Sequence, residues 1–160
     1  MTGPDGMLAA LSPEHRGRLL ELGHEVVFPP MADVFEEDGP AESFWLLRAG
    51  RVALDVHIPG GGPAVVETLG PGELLGWSWL FPPFRWHLGA RTRTTVEAYE
   101  FSARAVREAM AADPQFGLAV TTQVAETIGE RLRASRVRLL DLYGPTRRPE
   151  DIERDRKSVV

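Results

Sequence analysis

Apolar and polar positions change rhythm twice along these 160 residues. Near the start, Leu19, Leu20 and Leu22 make one apolar face behind Ser12-Pro13-Glu14. Ser12 can cap, and proline is tolerated in a first helical turn, so a helix is predicted from there to Gly23. The rhythm then shortens. Runs over 25–28, 33–36 and 43–48 end respectively at Pro29-Pro30, Asp38-Gly39-Pro40 and Ala49-Gly50. Residues 51–58 alternate polar and apolar, as in a half-buried strand. The chain crosses a Pro59-Gly60-Gly61-Gly62-Pro63 loop and returns over 64–69, which predicts an antiparallel hairpin. Runs over 87–94 and 96–101 read as two more strands. No helical period separates them, so an antiparallel sandwich or barrel is expected rather than alternating βαβ units.

The second change comes at Ser102, a candidate cap for a helix over 103–112. Asp113-Pro114 caps a new helix, and Gly144-Pro145 ends it. A helix over 114–143 is about 45 Å long at 1.5 Å per residue, longer than a small barrel needs for cover. Val124, Ile128, Leu132, Ser135, Leu139 and Leu142 recur along it at spacings of four and three, a coiled-coil-like seam. Arginines and glutamates flank that seam. It predicts a homodimer interface; the alternative is one amphipathic helix lying on its own barrel. The organisation expected is an N-terminal arm over 1–11, one domain over 12–143, and a polar, disordered tail over 144–160.

Composition narrows the functional classes. A net charge of −5 argues against general nucleic-acid binding, which needs a basic face. The absence of cysteine excludes disulfides, thiolate catalysis and cysteine-ligated metal. No apolar run approaches the roughly 20 residues of a membrane span, and the opening MTGPDGML lacks the features of a signal peptide, so a cytoplasmic location is expected. His15, His24 and His57 are scattered, without metal-ligand spacing. No phosphate loop, nucleophile elbow or zinc-protease motif is present, and no catalytic residue is expected.

Residues 69–90, LGPGELLGWSWLFPPFRWHLGA, hold three of the four tryptophans, Trp77, Trp79 and Trp86. The order of elements resembles the cyclic-nucleotide-binding domain of the catabolite activator and fumarate–nitrate regulator family. That order is a short helix, a strand series with glycine-containing turns, then a short and a long helix. The resemblance covers about residues 12–143. Phe44-Trp45-Leu46-Leu47-Arg48-Ala49-Gly50-Arg51-Val52 resembles a strand turn of the family, 69–76 the approach to its phosphate-binding cassette, and 96–101 its last strand. The fold so implied is mainly β with flanking helices: an antiparallel β-barrel of the jelly-roll type followed by a long dimerisation helix.

The family's cassette is a glycine–glutamate pair, a short helix, then an arginine and small residues. Backbone N–H groups and a bidentate arginine hold the cyclic phosphate, and the glutamate accepts the ribose hydroxyl. Gly76 matches the glycine. Trp77 stands at the glutamate position and cannot accept that bond. By count Trp86 stands at the arginine position, with Arg85 beside it, and His87 and Leu88 replace the small residues; a shift of one residue would restore Arg85 as the phosphate ligand. The candidate ligand set carried over is Gly76, Trp77, Ser78, Trp79, Arg85, Trp86, His87 and Arg91.

Three readings of this stretch follow. The aromatics fill the nucleotide's pocket; or the pocket is repurposed for a planar anion, with Arg85, His87, Arg91 and Arg93 as donors; or a cyclic nucleotide binds in an unusual geometry. In a regular strand those four cationic residues share one face, with Trp86, Leu88 and Ala90 on the other. The role expected is a regulatory sensor or adaptor with a degenerate cyclic-nucleotide site, acting on a protein partner, with no cofactor beyond a candidate cyclic nucleotide. The rival is a ligand-free dimeric scaffold. The family's transcription factors carry a helix-turn-helix after the long helix. Only residues 145–160 follow Gly144 here, so direct DNA binding is not expected.

Overall fold

The computed structural model describes residues 6–143. Residues 1–5 of the expected arm and the tail expected over 144–160 lie outside the described residues. The rest of the arm is structured. Helix α1, Gly6–Ala10, buries Met7, and Leu11 behind it is also buried. In α2, Pro13–Glu21, the His15 amide donates to Ser12 Oγ at 3.2 Å, as the capping pattern predicts. Gly23 does not act as the helix stop expected of it. Leu22 closes the helix in right-handed conformation, and Gly23 opens the first strand. Glycine suits that place because a Cβ there would lie 2.6 Å from the Phe101 ring.

The strands are β1 (Gly23–Phe28), β2 (Asp33–Phe35), β3 (Ser43–Ala49), β4 (Val52–Ile58), β5 (Gly62–Leu69), β6 (Leu74–Leu75), β7 (Gly89–Thr92) and β8 (Val96–Ser102). They form two antiparallel four-stranded sheets, ordered β1-β8-β3-β6 and β2-β7-β4-β5. This is the jelly-roll arrangement, but the sheets do not close into the barrel expected. Two of the four edge strands, β2 and β6, are only three and two residues long, and β1 and β5 at the other edges pair only within their own sheets. Two strand bounds also differ from expectation. β6 was hidden by its shortness, and β7 covers only half of 87–94.

Alternation in β3 sorts the core into two layers. Phe44 stacks on Phe101 of β8 with centroids 4.9 Å apart. Trp45, on the opposite face, stacks on Phe35 of β2 at 5.8 Å and so joins the two sheets. Across the turns between strands, Thr92 is the polar hinge. It is fully buried; its hydroxyl donates to the Pro29 carbonyl at 2.7 Å and accepts from the Ala32 amide at 2.8 Å. One side chain therefore satisfies both ends of the 29–32 turn.

Helix α3, Ala103–Ala112, is capped by Ser102, and α4, Pro114–Tyr143, by Asp113, whose carboxylate accepts from the Phe116 amide at 3.3 Å. The chain divides into two compact units, one ending at Ala125 and the other beginning at Glu126. In the first, Phe116, Val120 and Val124 of α4 are fully buried. Val124 is therefore packed within the chain and is not free for the seam assigned to it. In the second unit Leu132, Leu139 and Leu142 are exposed, as are Val137, Leu140 and Tyr143, while Ile128 is half-buried.

Replacing Thr92 with valine keeps the shape but orphans a buried amide. We expect Thr92→Val to cost about 1–3 kcal/mol, read as a lower urea midpoint.

Candidate functional site

The stretch 74–92 is positioned by pairing at both ends. β6 lies beside β3, Leu75 opposite Trp45, and β7 lies between β2 and β4. Between them come Gly76, a 3₁₀ helix (Ser78–Leu80), a cis Pro82-Pro83 bond and an extended segment around Arg85. That segment pairs with the turn before β3. The Trp86 amide donates to the Gly39 carbonyl and the Asp38 amide to the Trp86 carbonyl, each at 2.9 Å.

Trp86 is 4% exposed. Its ring stacks on Phe35 at 4.0 Å with planes 14° apart, and Phe35 in turn stacks on Trp45. The other side of the indole lies against Gly76. A Cβ on Gly76 would sit 2.6 Å from Trp86 Cη2, and the φ of +93° there also favours glycine. The cassette glycine thus gives its space to a tryptophan ring. Burying an indole of 150–250 Å² at about 25 cal/mol per Å² stabilises by about 4–6 kcal/mol. A ligand that must displace it loses at least a hundredfold in affinity, and more if nothing replaces the contacts.

Trp79 is turned to the other layer. It is fully buried, stacks on Phe44 at 4.1 Å and donates its Nε1–H to the Gly76 carbonyl at 3.1 Å. Ser78 is buried beside it. Trp77 is half-buried, with its ring 5.6 Å from the His87 ring and 6.4 Å from Phe81. The 3₁₀ helix is tied to α3 by Arg107. One guanidinium N–H donates to the Trp79 carbonyl at 2.7 Å, and Cζ lies 4.4 Å over the Phe84 ring.

The cationic candidates do not converge. Arg85 is exposed and donates to the Asp38 carbonyl. Since Trp86 is buried, its extended neighbour Arg85 points the opposite way. His87 is exposed beside Trp77, and Arg91 reaches Asp33 at 3.8 Å. Arg85, His87, Arg91 and Arg93 are all exposed while Trp86 and Ala90 are buried, as the expected alternation has it, although β7 itself runs only from Gly89 to Thr92. A cleft of about 510 Å³ borders the outer edge of Phe35, but its walls carry Asp33, Glu36, Glu37, Asp38 and Asp55 against only Arg91 and His57. That charge balance repels a phosphate. Among the described residues no group of acidic or histidine side chains could hold a metal ion.

The family model for the cyclic nucleotide-binding domain matches residues 25–113, from β1 to the start of α4. The chain belongs to that family. Over 137 residues the domain is 26% identical to a CRP-like cAMP-activated global transcriptional regulator of Mycobacterium tuberculosis; the alignment covers 86% of this chain and 59% of that protein. The chain thus spans about three fifths of the curated relatives it matches. Among solved structures, a cyclic nucleotide-binding protein of Geobacter metallireducens GS-15 superposes with a TM-score of 0.71 at 24% identity, over 82% of this chain and 99% of that one. A cyclic nucleotide-binding domain of Methylobacillus flagellatus KT gives 0.75 at 20%, over 82% and 74%. These likenesses establish the fold of the domain. No helix among the described residues is long and apolar enough to cross a membrane.

Sequence reasoning missed Phe35, Gly39 and Arg107 as parts of the domain's site. Phe35 and Gly39 lie some 40 residues before the cassette, in a strand and turn that carried no ligand signal. Arg107 lies in a helix with no ligand motif around it. A Gly76→Ala variant should lose about 1–3 kcal/mol and change the near-ultraviolet dichroism, because both strain and the Trp86 ring oppose the methyl group.

Proposed function

We propose that this protein is a regulatory, non-enzymatic module whose cyclic-nucleotide pocket is filled by its own aromatic side chains. The observation that carries this is Trp86, stacked on Phe35 and seated against Gly76. The carboxylate-rich cleft beside it supports the same reading, as does Trp77 at the position where the family uses a glutamate. The output is contact with a protein partner, signalled by the state of the module rather than by bound nucleotide. Titration calorimetry of the full chain with cyclic AMP and cyclic GMP should show no binding at tens of micromolar. Micromolar heat from either nucleotide that persists in Arg85→Ala, whose side chain faces away from the pocket, would overturn the filled pocket. The mycobacterial relative, cAMP-activated by name, favours a second reading in which the nucleotide binds after Trp86 swings out. Under that reading Trp86→Ala binds more tightly than the parent chain; under the filled-pocket reading it gains no micromolar affinity, since Arg85 and Arg91 are held outside by the Asp38 carbonyl and Asp33.

The module works as a homodimer through the second unit. Leu132, Leu139 and Leu142 form an exposed stripe at spacings of seven and three, continued towards Glu126 by half-buried Ile128 and interrupted by Ser135. Such a stripe is stable when a second copy covers it. Sedimentation should give twice the 17.7 kDa chain mass at tens of micromolar. Replacing both Ile128 and Leu132 with Asp should give the monomer with the same helical dichroism per residue in the first unit. A parent chain that sediments as a monomer rules the dimer out.

A further inference from the structure

Outside the jelly-roll interior lies a second cleft, of about 490 Å³. Three separate elements wall it: Glu42 before β3, Phe84 and Arg85 after the cis bond, and Ser102, Arg104 and Arg107 at the start of α3. In a chain of net charge −5, three guanidinium groups here face one carboxylate. Arg104 is paired to Glu108 at 3.1 Å. Arg85 and Arg107 are bound to neutral partners instead, the carbonyls of Asp38 and Trp79. Among the described residues neither has a carboxylate within ion-pair distance. A guanidinium has five N–H donors, so a bond to one carbonyl leaves donors for a ligand. Arg107 is also immobilised, with Cζ 4.4 Å over the Phe84 ring, so little side-chain freedom remains to be lost on binding.

We propose that this cleft binds a small oxyanion carrying two or more negative charges, phosphoryl or carboxylate, held by Arg85, Arg104 and Arg107. Three guanidiniums against Glu42 and the Glu108 partner of Arg104 leave the cleft positive, Arg85 and Arg107 offer two separate sets of donors to a multiply charged ligand, and the α3 N-terminus adds a favourable dipole. The site is separate from the pocket around Trp86 and stands whether or not that pocket takes a nucleotide. A bound anion would bridge the loop after the cassette and the first turn of α3.

The test is a titration of the isotopically labelled full chain with pyrophosphate, and separately with citrate, at fixed ionic strength, followed by amide NMR shifts. Saturable shifts confined to 84–86 and 103–107 are expected, with half-saturation below about 1 mM. Equal response to both anions identifies a general oxyanion site, and response to pyrophosphate alone a phosphoryl site. The double variant Arg85→Gln/Arg104→Gln should weaken binding at least tenfold. Arg104→Gln alone should weaken it about threefold or more; its side chain is 85% exposed, so the fold is not at stake. Non-saturating shifts, shifts matched by added chloride, or an affinity unchanged in Arg104→Gln would each overturn the proposal.

Discussion

The stacking of Trp86 on Phe35 is the contact on which the interior of this domain depends. Phe35 sits on the short edge strand of one sheet and stacks onward to Trp45 in the other. Removing the indole would leave a void between two sheets whose edges do not pair. The cost of such a void is the lost transfer energy plus the cavity, about 3–5 kcal/mol for a large aromatic. The same ring accounts for Gly76. Without a side chain of its own, Gly76 lets the indole approach the backbone.

Once the ring is in, the charges have to be elsewhere. Extended backbone alternates, so an inward Trp86 forces Arg85 outward. Arg85 therefore joins Arg104 and Arg107 of α3 at one cleft, while carboxylates outnumber Arg91 and His57 in the cleft at Phe35. Arg107 links the two halves of this arrangement. Its bond to the Trp79 carbonyl spans 28 residues and fixes the 3₁₀ helix to α3.

Most of the strands could be read from apolar runs bounded by turn residues, such as 51–58 and 64–69 about a glycine-rich loop, but the alternation expected of 51–58 is broken: Val52, Ala53 and Leu54 are buried in succession beside a register shift. The caps at Ser12, Ser102 and Asp113 were legible because short polar side chains before helical runs have few other uses. Gly23 misled because a glycine at a helix end usually relieves backbone strain; here it makes room for Phe101, a residue nearly 80 positions away. The alternation of Arg85, His87, Arg91 and Arg93 with Trp86 and Ala90 was legible in exposure, but the pairing of 84–86 with 38–41 was not, since its partners lie far back in the chain. Phe35 and Arg107 could not be read as site residues at all, since their part is defined by partners distant in the chain.

The genetic code treats the two tryptophans of the cassette unequally. The tryptophan codon lies one base from arginine codons, so the residue filling the interior at position 86 is a single mutation away from the cation that the family places there by count. At position 77 a change to glutamate needs two base changes, with glycine as the sense intermediate. A lineage carrying this domain can therefore acquire a cation at position 86 more easily than a carboxylate at position 77. The first functional revertants should recognise anions in general before they recognise a nucleoside.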